Sequence, residues 1–398
     1  MTFMSVSNYL QILERAWNSQ DGAKVAVFMS LRHEHANWPN YHIEKPEGLV
    51  ERFLPSPLDE LVILHLKCLF ALSQQDYMGA YQIQSNLTQS FTKILQLQKE
   101  ENWSLPIMYC ICLDLRLLAQ QAEKSHSGVN EKPGEILEKA AECLMGCFRV
   151  CAADNRSAEE DTKRIGMLAL VNQLFKVYFR INKLHLCKPL IRAIQSSPFN
   201  DSFSLGQQIT YKYFVGRKAM FDSDYKMADE YLTYAFENCH KSSKKNKRLI
   251  LIYLVPVKML LGYIPSKSVL EKYDVIQFWE LVQAVCQGNL KAFDELIEVH
   301  ESFFIKCGIY LIIEKLKIIA YRNLFKKVYH ILKTHQIPVE ALQTALVYLG
   351  QSDVDLDETE CIVANLIYEG KIKGYISHQH RKVVVSKQNP FPPLTSFI

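Results

Sequence analysis

The residues whose types could do chemistry fall into three groups, and each makes a different demand on the fold. His33-Glu34-His35 could pass protons or hold a metal, Cys110-Ile111-Cys112 could supply thiolates, and a long set of lysines and arginines near the end of the chain could neutralise a polyanion. The first group lies in a stretch that also holds Pro39, Pro46, Pro55 and Pro57, where histidines are more often exposed turn residues than catalysts. His378 and His380 invite the same reading. The cysteine pair lacks the two-residue gap and the second pair that tetrahedral zinc requires. There is no phosphate-cradling glycine loop, dinucleotide fingerprint, His-Glu-x-x-His helix or Gly-x-Ser-x-Gly elbow. No catalytic residue, metal-ligand set or cofactor is assigned.

The cations are more informative. Lys315, Arg322, Lys326, Lys327 and Lys333 come first, Lys371, Lys373, Arg381, Lys382 and Lys387 follow, and no acid occurs after Glu369. If residues 305 to 333 form one helix, Lys315, Arg322, Lys326 and Lys333 share a face through spacings of seven, four and seven. Asn323 could instead cap a new helix and break that stripe. Two readings stand, an ordinary solvated face and contact with nucleic-acid phosphates. Base reading is not expected, because Asp357, Glu358, Glu360 and Glu369 dominate the helix that would enter a groove and repel phosphates. RNA or DNA would be gripped through its backbone, without sequence specificity.

Residues 357 to 387 must position the second cluster. In DETECIVANLIYEG, Ile362, Val363, Leu366 and Ile367 supply an apolar helix face, Asp357 stands near the N-terminus, and Gly370 suits a left-handed C-cap. KIKGYIS and KVVVSK then read as two strands across His378-Gln379-His380-Arg381, since β-branched side chains pack well on a pleated surface. Helix followed by hairpin predicts a winged helix. The alternation of Ile372, Tyr375 and Ile376 cannot bury every side chain inward, so these three are candidates for a partner-binding edge.

Upstream, helical periodicity runs in successive segments from residue 5 to residue 333, with loops at 33–57, 124–134, 196–204 and 241–247. The segment KSHSGVNEKPG at 124–134 is expected to be the most mobile. In YKYFVGRKAMFDSDYKMADEYLTYAFENC, Gly216, Ala228 and Ala235 have the spacing of small residues in a tetratricopeptide-type hairpin, with Asp222-Ser223-Asp224 as its turn. Similar turns lie at Gln75-Asp76-Tyr77, Asn182-Lys183 and Gly288-Asn289. The expected fold is all-α with a small β wing, a right-handed TPR-like solenoid of helical repeats ending in a winged helix. Its expected divisions are 1–205, helical repeats; 206–305, a TPR-like helical part; and 306–398, the winged helix with a tail.

Composition sets the class. The 398 residues are 48% hydrophobic and 22% charged with a formal charge of +4, values of a soluble globular chain, so polyanion affinity must come from local patches. Eleven scattered cysteines, with Cys143, Cys147 and Cys151 at four-residue intervals, read as core packing in a reduced intracellular compartment. The longest apolar stretch, 249–257, contains Pro256 and meets Lys258, so neither secretion nor membrane insertion is expected. Lys244, Lys245, Lys247 and Arg248 have the form of a monopartite nuclear import signal. A solvated interhelix loop and a landing site for an acidic chain are the competing readings, because Arg248 adjoins an apolar helix start.

The strings VNQLFKVYFRINKLHLCKPLIRAI, YKYFVGRKAMFDSDY, NLFKKVY, NLIYEGKIKGYISHQH and SKQNPFPPL closely resemble the PCI domain-containing protein 2 family from about residue 100 onward. The first hundred residues match only loosely. The resemblance implies a PCI domain and a scaffold, not an enzyme, within the nuclear transcription-coupled mRNA export complex. It implies two partners: a large export scaffold of the germinal-centre-associated nuclear protein type, and a small acidic proteasome-lid protein wrapping the helical part. It further implies that two winged helices form a basic nucleic-acid platform, in the nucleoplasm and at the nuclear pore with some cytoplasmic pool. The alternative is a PCI subunit of a proteasome-lid, signalosome or initiation-factor assembly, without nucleic-acid binding.

Overall fold

The computed structural model of the protein describes residues 4–98, 101–125, 133–156, 158, 161–199 and 202–397. It is mostly helical, and its few strands lie near the C-terminus. The chain divides into two compact units, Met1–Tyr211 and Lys212–Ile398. Most of the segment 124–134 expected to be mobile, and Glu159 and Glu160, lie outside the described residues.

The first unit begins with α1 (Val6–Asn18), α2 (Gly22–Phe28), α3 (Glu47–Val50), α4 (Leu58–Ser73) and α5 (Tyr77–Leu97). It continues through α6 (Leu105–Ser125), α7 (Glu135–Ala152), α8 (Met167–Arg180), α9 (Cys187–Gln195) and the start of α10 (Leu205–Phe221). From α4 to α8 each helix packs on the next, the pattern of stacked hairpins. The turns recur with one chemistry. A residue at positive φ, namely Gln20, Gln75, Ser223 or Gly288, precedes an Asp or Asn whose side chain accepts the amide of the third residue onward. Asp76 takes the Gly79 amide at 2.8 Å and Asp224 takes the Met227 amide at 3.0 Å, which satisfies a donor that the helix itself cannot.

The second unit holds α11 (Tyr225–Asn238), α12 (Lys244–Leu260), α13 (Lys267–Lys272), α14 (Gln277–Gln287), α15 (Leu290–Cys307), α16 (Tyr310–Lys315) and α17 (Lys317–Leu332). The small-residue hairpin forms as its spacing requires. Ala228 and Ala235 are fully buried, and a Cβ on Gly216 would lie 2.7 Å from Leu232 Cγ. Gly288 shows the same economy: its φ is +63° and a Cβ there would lie 2.4 Å from the Leu324 amide nitrogen, so α14 and α17 touch backbone to backbone.

The winged helix follows as β1 (Gln336–Pro338), α18 (Val339–Tyr348), α19 (Leu356–Tyr368), β2 (Gly374–Ser377) and β3 (Lys382–Val385). The sheet is antiparallel with order β1-β3-β2, and the register pairs Gln336 with Val384 and Ser377 with Lys382. Val383 and Val385 point into the core while Val384 is half-buried, the two-residue period of a pleated strand. Their neighbours are Phe325, Leu342, Leu346, Val363 and Leu366, which close one apolar cluster. The third strand and α18 extend the expected hairpin. Pro338 is confined to the sheet's edge, where its missing N–H costs nothing, and it leads directly into α18.

Candidate nucleic-acid and partner interface

The expected basic stripe does not exist as one helix face. Gly308 ends α15 in a left-handed conformation at φ +71°, and a turn at Leu316 separates α16 from α17. Asn323 starts no new helix; inside α17 its amide donates to the Val285 carbonyl at 2.8 Å. Lys315 therefore stands on α16, where its ammonium donates to the Tyr225 hydroxyl at 3.0 Å and the Ser223 hydroxyl at 3.3 Å.

Arg322 requires a correction. It is 5% exposed and is not offered to a phosphate backbone running over the surface; its guanidinium donates to the carbonyls of Phe391 at 3.1 Å and Pro392 at 2.7 Å and so fastens the C-terminal tail to α17. Lys326 is half-buried beside the same tail, whereas Lys327 is exposed.

The cations of the wing separate into two ends of the sheet. At the tip, His378–His380 form a short 3₁₀ turn and Arg381 takes a left-handed conformation that turns its side chain back toward α19. There it donates to Asp357 at 2.6 Å, with Glu360 at 3.6 Å. The hydrogen bond from Arg381 and its charge hold the Asp357 carboxyl below the ordinary carboxylate range. His378 Nδ1 lies 2.6 Å from Glu360 Oε2, so acids of α19 stand against both Arg381 and His378 at the tip. Lys371 pairs with Glu369. Lys382 is half-buried at the tip and carries no ion pair among the described residues.

The opposite end is different. Val385 donates to the His335 carbonyl at 2.8 Å and Ser386 donates to the Lys373 carbonyl at 2.7 Å. These bonds draw Lys333, Lys373 and Lys387 toward one end of the sheet, all three exposed and none with a side-chain partner among the described residues.

The expected partner edge also divides. Ile372 is 2% exposed and belongs to the core, because β2 begins two residues later and the turn before it folds inward. Ile376 packs half-buried on the same core, and only Tyr375, at 63%, offers itself to a partner. Ile331, Tyr348 and Tyr368, at the ends of α17, α18 and α19, are more exposed than Tyr375 and stand outside the expected edge. Tyr368 was readable, since it continues the outward row of Cys361, Ala364 and Asn365 at helical spacing. Tyr348 was not, because α18 carried no clear period beside its strand.

Lys244, Lys245, Lys247 and Arg248 form neither an extended signal nor a loop. They are the first turns of α12, with Lys247 6% exposed and donating to the Phe236 carbonyl at 2.6 Å, and Arg248 donating to the Asp274 carbonyl at 2.9 Å. His33-Glu34-His35 is not an exposed turn either. His33 Nδ1 meets His35 Nδ1 at 2.8 Å and His35 Nε2 meets His65 Nε2 at 3.1 Å, with His35 and His65 fully buried. Burial pushes His35 down to about 4 and His65 well below the ordinary imidazole value, with neighbouring histidine charge as the lesser cause, so these two buried rings pack neutral.

Comparisons with known proteins cover the whole chain. A family model described as PCI domain matches residues 280–387, which include α15 to β3 in full. PCI domain-containing protein 2 of Danio rerio is 55% identical over 397 residues, and that of Xenopus laevis is 56% identical over 400 residues, each covering 100% of both chains. The PCI domain-containing protein 2 homolog of Drosophila melanogaster is 58% identical over 395 residues, 99% of this chain and 100% of that one.

Proposed function

The chain belongs to the PCI domain-containing protein 2 family, and from that premise we propose that it is a non-catalytic scaffold subunit of a nuclear transcription-coupled mRNA export complex. In this reading its winged helix pairs with a large PCI-like scaffold of the germinal-centre-associated nuclear protein type. The pair presents a basic surface to RNA or DNA, and a small acidic proteasome-lid protein binds the helical part. The observation that carries the nucleic-acid half is the set of exposed lysines Lys327, Lys333, Lys373 and Lys387, unpaired among the described residues. Lysines left without acids bind phosphate backbones by releasing condensed counterions, a grip that needs no base contact. Tyr348, Tyr368 and Tyr375 are exposed aromatics of the kind that anchor protein interfaces.

The test is affinity purification of the tagged full-length chain from nuclear extract, followed by identification of bound chains and of crosslinked RNA. Recovery of a large PCI-like export scaffold together with RNA is expected. Recovery of lid, signalosome or initiation-factor subunits, with no RNA, would replace this reading by the alternative assembly.

A further inference from the structure

Beneath the C-terminal tail lies a cavity of about 550 Å3, bounded by α12, α14, α17 and residues 389–395. Val282, Val285, Ile319 and Phe391 give it apolar walls. Arg322, Lys326 and Asn389 are among its polar lining, and no carboxylate of the described residues lines it.

Arg322 makes this arrangement unusual. The side chain is 5% exposed and its bonds all run to neutral acceptors: the two tail carbonyls, and Asn323 Oδ1 at 2.8 Å. Its Nε has no partner among the described residues. Burial shifts the group's pKa down and no acid offsets the shift, yet a guanidinium stays protonated, so the charge remains uncompensated. Lys326, four residues on along α17, is half-buried and likewise without a partner among the described residues. Two cations lining one half-open cavity, with no acid beside them among the described residues, ask for an anion from outside the chain.

The volume and the walls narrow its class. The cavity falls in the size range of small-molecule sites, roughly 300–1,000 Å3, and a bare phosphate would leave its apolar walls untouched. The Arg322 Nε–H left without an acceptor and the Lys326 ammonium supply charged donors that suit the several oxygens of a phosphate. We propose that this cavity binds an organic phosphate of nucleotide size, with its phosphate between Arg322 and Lys326 and its flat body against Val282, Val285, Ile319 and Phe391. The ligand is either a free mononucleotide or the phosphorylated end of a strand. The site is independent of the exposed lysines at the end of the sheet.

The experiment is calorimetric titration of the full chain with AMP, UMP, adenosine, inorganic phosphate and a 5′-phosphorylated dinucleotide. Binding of AMP or UMP is expected, with adenosine and inorganic phosphate weaker by about tenfold or more, the loss of one charge-assisted contact or of the body contact. Lys326→Gln should weaken the nucleotide by about tenfold while leaving the tail anchored and the fold unchanged by circular dichroism. Arg322→Lys, which keeps the charge but loses the Nε–H donor, should weaken it too. A dinucleotide that binds as tightly as AMP identifies a strand end as the source, and a weaker one identifies a free nucleotide. Absence of nucleotide binding at millimolar concentration, inorganic phosphate binding as tightly as AMP, or an unchanged affinity in folded Lys326→Gln would each overturn the proposal.

Discussion

At the tip of the wing Arg381 lies against Asp357 and Glu360, and His378 meets the same glutamate; at the other end of the same sheet, Lys333, Lys373 and Lys387 face solvent with no acid matched to them. Both ends look equally basic in the sequence. They differ because α19 carries its acids in its first turns, near the tip, where they also suit the helix N-terminus. A count of lysines and arginines therefore overstates the free charge at the tip and states it correctly at the far end. Affinity for a polyanion should follow the free charge.

The largest effect is expected from breaking the far end outright. A Cβ on Gly374 would lie 2.4 Å from the Val384 carbonyl oxygen and 2.9 Å from Val385 Cα. Gly374→Ala should force β2 off β3, cost about 3 kcal/mol or more and abolish the cationic end, read by urea denaturation and nucleic-acid binding together. A variant as stable as the wild type would show that this pairing does not hold the end in place.

The contrast sharpens in the first unit, where burial keeps two histidines from charging. His35, at about 4, and His65 lie below the value of about 6.5 that they take in the unfolded chain. The unfolded state then binds more protons as pH drops below about 6.5, so stability is present above that pH and is lost on acidification, down to about pH 4 for His35. The expected slope is up to about 1.4 kcal/mol per pH unit per histidine. Denaturation midpoints that stay level between about pH 7 and pH 5 would contradict the buried chain.

Smaller effects test the exposed aromatics and the tip. Tyr348→Asp with Tyr368→Asp should leave stability within about 0.5 kcal/mol, since both rings are exposed, yet weaken co-purification with a PCI-like scaffold. A pull-down equal to wild type would remove these rings from the interface. Arg381→Ala is expected to do least, because exposed ion pairs contribute little and the pair's net charge is small. It should leave the affinity for single-stranded RNA unchanged.

Much of this architecture was legible beforehand, and what was not has physical reasons. The hairpin turns could be read because an Asp or Asn after a break announces a side-chain cap, as Asp76, Asp224 and Asn289 do. The wing could be read from the β-branched run at Val383–Val385. The three-residue strand β1 and α18 could not, since a strand so short shows no alternation and borrows a partner far along the chain, Gln336 to Val384 being 48 residues apart and Pro338 to Lys382 44 apart. The site residues failed where tertiary context reassigns a side chain. Arg322 is one charge among several in the sequence and becomes a buried anchor only because the tail returns to α17. Ile372 lost its place at the edge because the turn after Gly370 folds it into the core.

The most direct test of the account is the salt dependence of single-stranded RNA binding by the full chain, compared between wild type, the triple variant Lys333→Glu, Lys373→Glu and Lys387→Glu, and Arg381→Glu. The triple variant, still folded by circular dichroism, should flatten the slope of log affinity against log salt by about two units, roughly 0.7 for each lost phosphate contact, while Arg381→Glu leaves it unchanged. An unchanged slope in the folded triple variant, or an equal loss from Arg381→Glu alone, would contradict the division of the wing into a matched end and a free one.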